Sequence, residues 1–398
     1  MKRNPKYLIP TGVRDVFRRA LTDFMLDYGH PLQYRKAARQ PVDPKRCVFI
    51  EMDRDAVSDS MQLVYDEMQR RGFTCDFISL HMHCGSFVEY TRRSGEMAKM
   101  VATAKYVFIC EAQGRLACLP MRPETKVIQL WHGCGAFKKF GMSTADKIFG
   151  GTREEKMRRP AHKNTSLVTV SSPEVVWAYE EAMSLEGTGI VQPLGVSRTD
   201  VFFDQDFIGR CRREVEEVVP ETKGKQVVLY APTFRGRVAT AEAPDQLDIN
   251  LLHERLGEDW ILLIKHHPHI KKRPPVPEGC ERFAFDVTDK LSIEACLCRS
   301  DACVSDYSSL VFEYSLFGRP MAFFAYDLAD YDDWRGFYYD YDELTPGPIL
   351  TTTNELAEWV EHLDERFDPT EVAAFREKFM GACDGHATER IINTALGE

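Results

Sequence analysis

Short apolar segments alternate with helical patterns along this chain, and that alternation constrains the fold more than any other feature. A first series of strand-like runs lies between Cys47 and Pro193, and a second lies between Val227 and Ala325. Segments with helical spacing, such as residues 60–71 and 290–298, separate these runs. Strands that alternate with helices form parallel sheets. We therefore predict an α/β protein with two parallel sheets, each in a Rossmann-like domain.

Polar side chains follow four of the predicted strands at their carboxyl ends. In chain order they are His132, Thr233, Arg235, Lys265, His266, His267, His269, Ser308 and Ser309. Ligands of open α/β sheets bind beyond the carboxyl ends of the strands. Basic and hydroxyl groups gathered at that edge suit a phosphorylated ligand.

The segment from Val304 to Tyr314 passes from a predicted strand into a predicted helix. Ser308 and Ser309 lie at the transition, and Asp306 is placed to cap the helix. The first amides of a helix have no intrahelical partner, and the helix dipole favours an anion there. The segment therefore predicts a phosphate site. The alternative is an ordinary helix cap with two additional serines.

These motifs together resemble the CDP-glycerol glycerophosphotransferase family of teichoic-acid and capsule synthesis. The resemblance covers roughly residues 126–396. It rests on Trp131-His132-Gly133, Tyr230-Ala231-Pro232-Thr233-Phe234-Arg235, His267-Pro268, Ser305-Asp306-Tyr307-Ser308-Ser309, Arg335-Gly336-Phe337-Tyr338, Pro346-Gly347-Pro348 and Asp384-Gly385-His386-Ala387-Thr388-Glu389-Arg390. Two segments depart from the family's usual pattern, Cys134–Phe137 and Gly195–Asp200. The first bears on the choice of acceptor or polyol, and the second on a turn.

The resemblance implies a GT-B-like arrangement of two facing Rossmann-like domains. We expect a basic helical arm over residues 1–46, an acceptor domain over 47–205 and a CDP-donor domain over 206–398. The final helices, after Asn354, are expected to return to the first domain. The implied reaction moves glycerol phosphate, or a related polyol phosphate, from CDP-glycerol to a lipid-linked or phosphopolyol hydroxyl and releases CMP.

The resemblance also assigns roles to residues. His132 matches the family's general base, and His267 matches a second histidine that contacts the donor phosphates, although His266 or His269 could serve instead. Further donor ligands are Ser308, Ser309, Thr233, Arg235, Lys265 and Arg335. Lys138 and Lys139 either meet an acceptor phosphate or form a solvated helix face. Because no Asp-x-Asp pair follows a strand, we expect no metal and no cofactor.

Two other functions fit parts of these patterns. A GT-B glycosyltransferase or a UDP-sugar epimerase has a similar fold but acts on a nucleotide sugar. A non-catalytic, membrane-associated scaffold would need none of the site residues. The combination of the serine pair with Arg335–Tyr338 and Pro346–Pro348 favours the polyol-phosphate transferase.

Charge is distributed unevenly. Residues 1–46 contain eleven Lys/Arg and four Asp, a formal charge of +7, whereas the whole chain has −10, which leaves −17 for the remainder. The acidic body argues against nucleic-acid binding. Residues 11–28 predict an amphipathic helix ending at Gly29, which either contacts an anionic membrane or packs on the body.

Hydropathy and cysteine usage indicate the compartment. No apolar run is long enough for a transmembrane helix, and the amino terminus lacks the apolar core of a secretory signal. The twelve cysteines have no Cys-x-x-Cys spacing and predict buried thiols. We therefore expect a cytoplasmic protein, located at the inner face of the membrane if the arm binds lipid. His81-Met82-His83-Cys84 is interpreted as a polar loop, not a metal site.

Overall fold

Each half of the chain forms one six-stranded sheet in which all neighbouring strands are parallel. The structure, a computed structural model, describes residues 11–52, 54–81, 86–147, 151–236, 241–329, 331 and 336–398, with the backbone alone over 11–15. Met82, His83 and Cys84 of the predicted polar loop lie outside these residues. The predicted α/β class with two parallel sheets is confirmed.

The first sheet has the strand order β2-β1-β3-β4-β5-β6. Its strands are β1 (Asp43–Glu51), β2 (Thr74–Ser79), β3 (Ala104–Ile109), β4 (Lys126–Gln129), β5 (Leu167–Thr169) and β6 (Val191–Gln192). Both faces of the central strands are buried, since Val48 and Ile50 belong to one apolar cluster and Cys47 and Phe49 to another. This two-sided burial explains why these strands are continuous apolar runs in the sequence.

The second sheet has the order β12-β11-β10-β7-β8-β9. Its strands are β7 (Gln226–Tyr230), β8 (Trp260–Ile264), β9 (Ala284–Asp286), β10 (Ala302–Ser305), β11 (Met321–Phe324) and β12 (Ile349–Leu350). The sequence did not predict β12, because two residues are too few for a periodic pattern. This strand extends the sheet beside β11, where Phe323 and Phe324 align with Ile349 and Leu350.

Helices connect the strands and cover both faces of the sheets. They are Thr11–Phe24, His30–Ala37, Asp59–Arg70, Phe87–Val101, Gly114–Ala117, Arg153–Arg158, Val176–Met183, Gln205–Val218, Ile249–Leu256, Ile293–Arg299, Leu310–Ser315, Thr353–Glu361, Leu363–Arg366, Pro369–Met380 and Ala387–Leu396. Within the described part of the chain, none of them combines the length and the hydrophobicity that a bilayer span requires.

The last helix, Ala387–Leu396, packs on the first sheet. Its buried residues Ile391 and Ile392 share an apolar cluster with residues of β1 and β3. The Asp200 carboxylate caps this helix by accepting from the amides of Ala387 at 3.0 Å and Thr388 at 2.7 Å. The segments Gly195–Asp200 and Asp384–Arg390, which are far apart in the sequence, therefore form two sides of one junction.

The amino-terminal helix does not end at Gly29, so that prediction is wrong. A π-helical turn, Met25–Gly29, joins Thr11–Phe24 directly to His30–Ala37. Gly29 keeps a right-handed helical conformation (φ −62°, ψ −56°), so it continues the helix. The second helix is anchored because Pro31 and Tyr34 are buried, and Tyr34 packs with Met97 and Val101. The limits predicted for the arm and the two domains stay predictions.

Candidate active site

A cleft of about 740 Å³ lies between the carboxyl ends of the two sheets. The structure brings most of the predicted site residues into its lining, namely His132, Thr233, Lys138, Lys265, His266, His267, Ser308 and Ser309. Arg235, Lys139 and His269 are not among the residues that line it. Arg335 lies outside the described residues. The two walls are close, since a Cβ built on Gly133 would be 4.0 Å from the Ser309 hydroxyl.

His132 is presented to the cleft by a turn that ends β4 early. Trp131 has a left-handed backbone conformation (φ 57°), which is unusual for a residue with a large side chain. The buried Gln129 side chain holds the turn by accepting from the Trp131 amide at 3.0 Å. The Trp131 ring stacks on the His132 ring, with centroids 4.6 Å apart. β4 therefore stops at Gln129, and the turn that follows it orients the histidine.

Glu111 orients the His132 imidazole. The ring Nδ1 lies 2.8 Å from the Glu111 carboxylate and 3.1 Å from the Cys110 carbonyl oxygen. These two acceptors require Nδ1 to carry a proton, which leaves Nε2 as the nitrogen that accepts one. Burial lowers the pKa of His132, but the hydrogen bond and charge of Glu111 outweigh it, so the pKa is raised. This pairing is typical of a histidine that serves as a general base.

Glu111 was not among the residues predicted from the sequence. It lies two residues after the end of β3, as His132 lies three residues after the end of β4, so its position was a signal of the same kind. Glu111 can contact His132 because β3 and β4 are neighbours in the sheet. Strand order is a tertiary property, so the sequence did not indicate which carboxylate would face the imidazole.

The three histidines after β8 have different surroundings. His266 is buried, and burial lowers its pKa. His267 is exposed at the cleft, and its Nδ1 accepts from the His269 amide at 3.2 Å. Nε2 is then the proton-bearing nitrogen of the neutral His267 ring, which makes it a donor for an anionic oxygen. His266 and His267 therefore line the cleft, whereas His269 does not. Of the two, His267 is the exposed one, and its Nε2–H is the candidate donor to a ligand.

Ser308 and Ser309 precede a short helix, Leu310–Ser315, and face the His132 side of the cleft. Asp306 does not cap this helix, so that prediction is wrong. Its Oδ1 instead accepts from the amides of Thr233 at 2.8 Å and Tyr307 at 2.6 Å. Asp306 thus joins the segment after β7 to the segment after β10, and this junction fixes the position of the serines.

Arg235 is bound by two carboxylates and is not among the residues that line the cleft. Its guanidinium donates to Asp306 at 2.9 Å and makes two hydrogen bonds to Asp327, at 2.6 and 3.0 Å. The rings of Tyr307 and Tyr331 lie beside it, 5.2 and 5.4 Å from the guanidinium carbon. The structure therefore places this predicted donor ligand behind the serine segment, where it supports the segment.

The lysines predicted at the site are also engaged. The Lys265 ammonium donates to the carbonyl oxygens of Thr288, at 2.7 Å, and Leu291. The Lys138 ammonium lies 5.2 Å from the centre of the Tyr331 ring. For Lys139 the contact is made by the main chain, whose N–H donates to the Gly336 carbonyl oxygen at 3.0 Å. Lys265 thereby holds the loop that precedes helix Ile293–Arg299, and Lys138 and Lys139 join the two halves of the chain.

The segment Cys134–Phe137, which departs from the family pattern, is packed between the two halves. The Phe137 ring contacts the rings of Phe312 and Tyr341 at centroid distances of 6.1 Å in both cases. Gly135 has φ +61°, and a Cβ there would lie 2.3 Å from the Phe312 ring. A side chain at this position is excluded by the second half, so the departure affects the packing that shapes the cleft.

Two parallel sheets facing each other across a cleft define a GT-B-like α/β protein, and the oriented histidine gives that cleft a candidate base. Over residues 32–397 the chain matches the sequence profile of the CDP-glycerol:poly(glycerophosphate) glycerophosphotransferase family. The chain belongs to this family. The resemblance inferred from the motifs is therefore confirmed.

Individual relatives agree with this assignment. The chain is 32% identical over 373 residues to the teichoic acid ribitol-phosphate primase of Bacillus spizizenii, covering 89% of this chain and 92% of the primase. It is 31% identical over 358 residues to the teichoic acid ribitol-phosphate polymerase TarL of Staphylococcus aureus, covering 88% of this chain and 62% of TarL.

Solved structures share the fold. The wall teichoic acid polymerase TagF superposes with a TM-score of 0.75 at 22% identity, covering 97% of this chain and 98% of TagF. A UDP-N-acetylglucosamine 2-epimerase superposes with a TM-score of 0.56 at 12% identity, covering 89% of this chain and 96% of the epimerase. At these identities the comparison establishes the GT-B-like architecture.

Proposed function

We propose that this protein transfers a polyol-phosphate unit from a CDP-polyol, CDP-glycerol in the first instance, to an acceptor hydroxyl in teichoic-acid-like polymer synthesis. The observation that carries the proposal is the Glu111–His132 pair facing Ser308, Ser309 and His267 across one cleft. Family membership supports the donor class, and a structure of TagF soaked with CDPG supports nucleotide entry into this fold.

The proposed chemistry is a displacement at the β-phosphorus of the donor. The acceptor oxygen forms a bond to that phosphorus while the bridging P–O bond to the CMP phosphate breaks. The acceptor proton moves to His132 Nε2, and the bond's electron pair leaves with CMP. His267 Nε2–H and the serine hydroxyls donate to the phosphate oxygens as their charge redistributes. Thr233 is a further ligand, because its buried hydroxyl makes no hydrogen bond within the described residues.

Ribitol phosphate is the second candidate for the transferred unit. The observation that favours it is the identity of 31–32% to ribitol-phosphate primase and polymerases. Relatives whose names specify glycerol phosphate are 24–30% identical. The two donors differ in the length of the polyol chain and share the CDP group, so the same residues would hold the diphosphate of either.

Release of CMP tests the proposal directly. The protein is incubated with CDP-glycerol, CDP-ribitol or a UDP-sugar, together with a phosphopolyol or lipid-linked acceptor. We expect acceptor-dependent CMP release from one CDP-polyol. The double variant Ser308→Ala/Ser309→Ala should bind that donor about 100-fold or more weakly in calorimetry, since each of the two lost hydrogen bonds to a charged group is worth roughly 1.5–3 kcal/mol. Turnover of a UDP-sugar and of no CDP-polyol would refute the proposal. Unchanged donor affinity in the double variant would mean that the serines only begin the helix and do not bind the donor.

Glu111→Gln gives a prediction on pH dependence. Because the Glu111 carboxylate raises the pKa of His132, its removal lowers that pKa. We therefore expect the acid limb of kcat to move to lower pH, while kcat at its plateau falls roughly 10- to 100-fold through poorer orientation of the base. The matched control is Glu96→Gln, because Glu96 pairs with Arg92 on the outer face of helix Phe87–Val101 and is not among the residues that line the cleft. If the acid limb of kcat does not shift in Glu111→Gln, Glu111 does not influence the pKa of the catalytic base.

We further propose that the amino-terminal helix binds an anionic membrane surface, which would bring the enzyme to a lipid-linked acceptor on the cytoplasmic side. Asp23 and Asp27 pair with Arg159 of the body at 2.6 and 2.9 Å. The apolar residues Val16, Phe17, Phe24, Tyr28 and Leu32 are instead between 56% and 69% exposed. Exposed basic residues flank them, namely Arg18, Arg19, Arg35, Lys36 and Arg39. The helix thus meets the body with its acids and leaves an apolar, basic surface uncovered.

Vesicle sedimentation checks this surface with point variants. Removal of residues 1–46 would also remove buried residues such as Pro31 and Tyr34, so truncation is unsuitable. Phe17→Ser/Phe24→Ser should weaken binding to anionic vesicles at low salt, and Arg18→Glu/Arg19→Glu should weaken it further, at roughly 1 kcal/mol per basic residue lost. Val218→Ser, an exposed apolar residue elsewhere, is the control. Equal sedimentation of all variants would show that the arm is purely structural.

A further inference from the structure

Arg198 belongs to the segment Gly195–Asp200, to which the proposed reaction assigns no part. It lies in the 3-10 segment Ser197–Phe203, which leads from the first half of the chain into the second. Its Nη1 donates to the main-chain carbonyl of His132 at 3.1 Å. Its Nη2 donates to Glu294 at 3.0 Å, and its Nε is 3.0 Å from Glu313. One guanidinium therefore contacts the peptide of the proposed base and two carboxylates of the other half.

The two carboxylates belong to the helices that border the donor side of the cleft. Glu294 is in the first turn of Ile293–Arg299, and Glu313 is in Leu310–Ser315, which begins directly after Ser309. The side chains of Arg198, Glu294 and Glu313 are 16%, 14% and 8% exposed. Because these charges are withdrawn from water, their geometry is held more firmly than that of a surface ion pair.

We propose that Arg198 is a positioning residue that sets the distance between His132 and the serine segment across the cleft. This inference rests on the proposed function and deepens it. A base in one domain and a phosphate site in the other need a fixed separation, since a misplacement of about 1 Å costs roughly 100-fold in rate. The planar guanidinium directs several donors at once, which the single ammonium of lysine does not reproduce.

The charge of Arg198 affects the pKa of His132, a quantity that a purely structural role would leave unchanged. Arg198 lowers the pKa of His132 and Glu111 raises it. Among the described residues, three charged groups surround the imidazole: Glu111 after β3, Arg198, and Glu313 on the opposite wall. Further charged and histidine side chains of the cleft lining are Arg54, Asp59, Lys138, Lys265, His266, His267 and Glu294. Loss of the Arg198 charge should therefore raise the pKa of His132.

The test compares Arg198→Met and Arg198→Lys with Arg319→Met. Arg319 is a matched control, because it also binds carbonyl oxygens, those of Cys298 and Ser300, but lies outside the cleft lining. For Arg198→Met we expect kcat to fall about 100-fold, with donor affinity retained and the acid limb of kcat at higher pH. Arg198→Lys should also lower kcat but leave the acid limb in place. Unchanged kcat, or a loss explained wholly by weaker donor binding, would overturn the inference.

NMR titration of the His132 ring in the ligand-free protein makes the test independent of turnover. If the wild-type protein releases no CMP from any CDP-polyol, the proposed function fails, while a raised His132 pKa in Arg198→Met still supports the contact. An unchanged His132 pKa in that variant overturns the inference. If Arg198→Met does not fold, Glu294→Ala removes one of the three contacts and should lower kcat while sparing donor affinity. Unchanged kcat in this variant also counts against the inference.

Discussion

Replacing His132 by alanine should lower kcat for CMP release by about 100-fold or more, the usual contribution of a general base. The physical reason is that Nε2 is the proton acceptor left at the cleft once Glu111 and the Cys110 carbonyl engage Nδ1. Donor affinity should change little, because the proposed diphosphate ligands, His267 and the two serines, belong to the opposite wall of the cleft. Steady-state CMP release and calorimetric titration with the donor separate the two effects.

The control for this substitution is His362→Ala. His362 lies at the protein surface beside Glu365, away from the cleft. It should leave kcat and donor affinity unchanged. A His132→Ala protein that retains wild-type kcat would remove His132 from the mechanism and turn attention to His266 and His267.

Replacing Arg235 by methionine should reduce the free energy of unfolding by roughly 3–5 kcal/mol, the cost of removing one partner from a buried charge pair. The Asp306 side chain is only 2% exposed and would lose its one cationic partner among the described residues. The substitution also releases Asp327, so the serine segment loses support from both carboxylates. Urea denaturation measures the loss.

Arg255→Met is the matched control, since Arg255 pairs with Glu361 at the surface, where both side chains are more than a quarter exposed. Its loss should destabilise the protein far less than the loss of Arg235, because solvent screens a surface ion pair. The contrary outcome is an Arg235→Met protein that is no less stable than the control but binds the donor more weakly. That result would mean that Arg235 contacts the donor in the wild-type protein, as predicted from the sequence.

The order of residues along the chain was enough to predict the α/β class, the two parallel sheets and the strand ends that line the cleft. These properties follow from local patterns. Apolar runs of strand length mark buried strands, and parallel strands in one sheet deliver the residues that follow them to the same edge. His132, His267, Ser308 and Ser309 could therefore be predicted to gather before any contact between them was known.

The partner of each side chain, in contrast, depends on contacts that exist in the folded chain alone. Glu111 faces His132 because β3 and β4 are neighbours, whereas Arg235 and Lys265 turn toward carboxylates and carbonyl oxygens of their own half. A buried cation takes the nearest acceptors that the fold provides, since leaving either partner unpaired is costly. Arg198 joins residues distant in sequence, and such pairings depend on strand order and on the distance between the two sheets, which no local pattern contains.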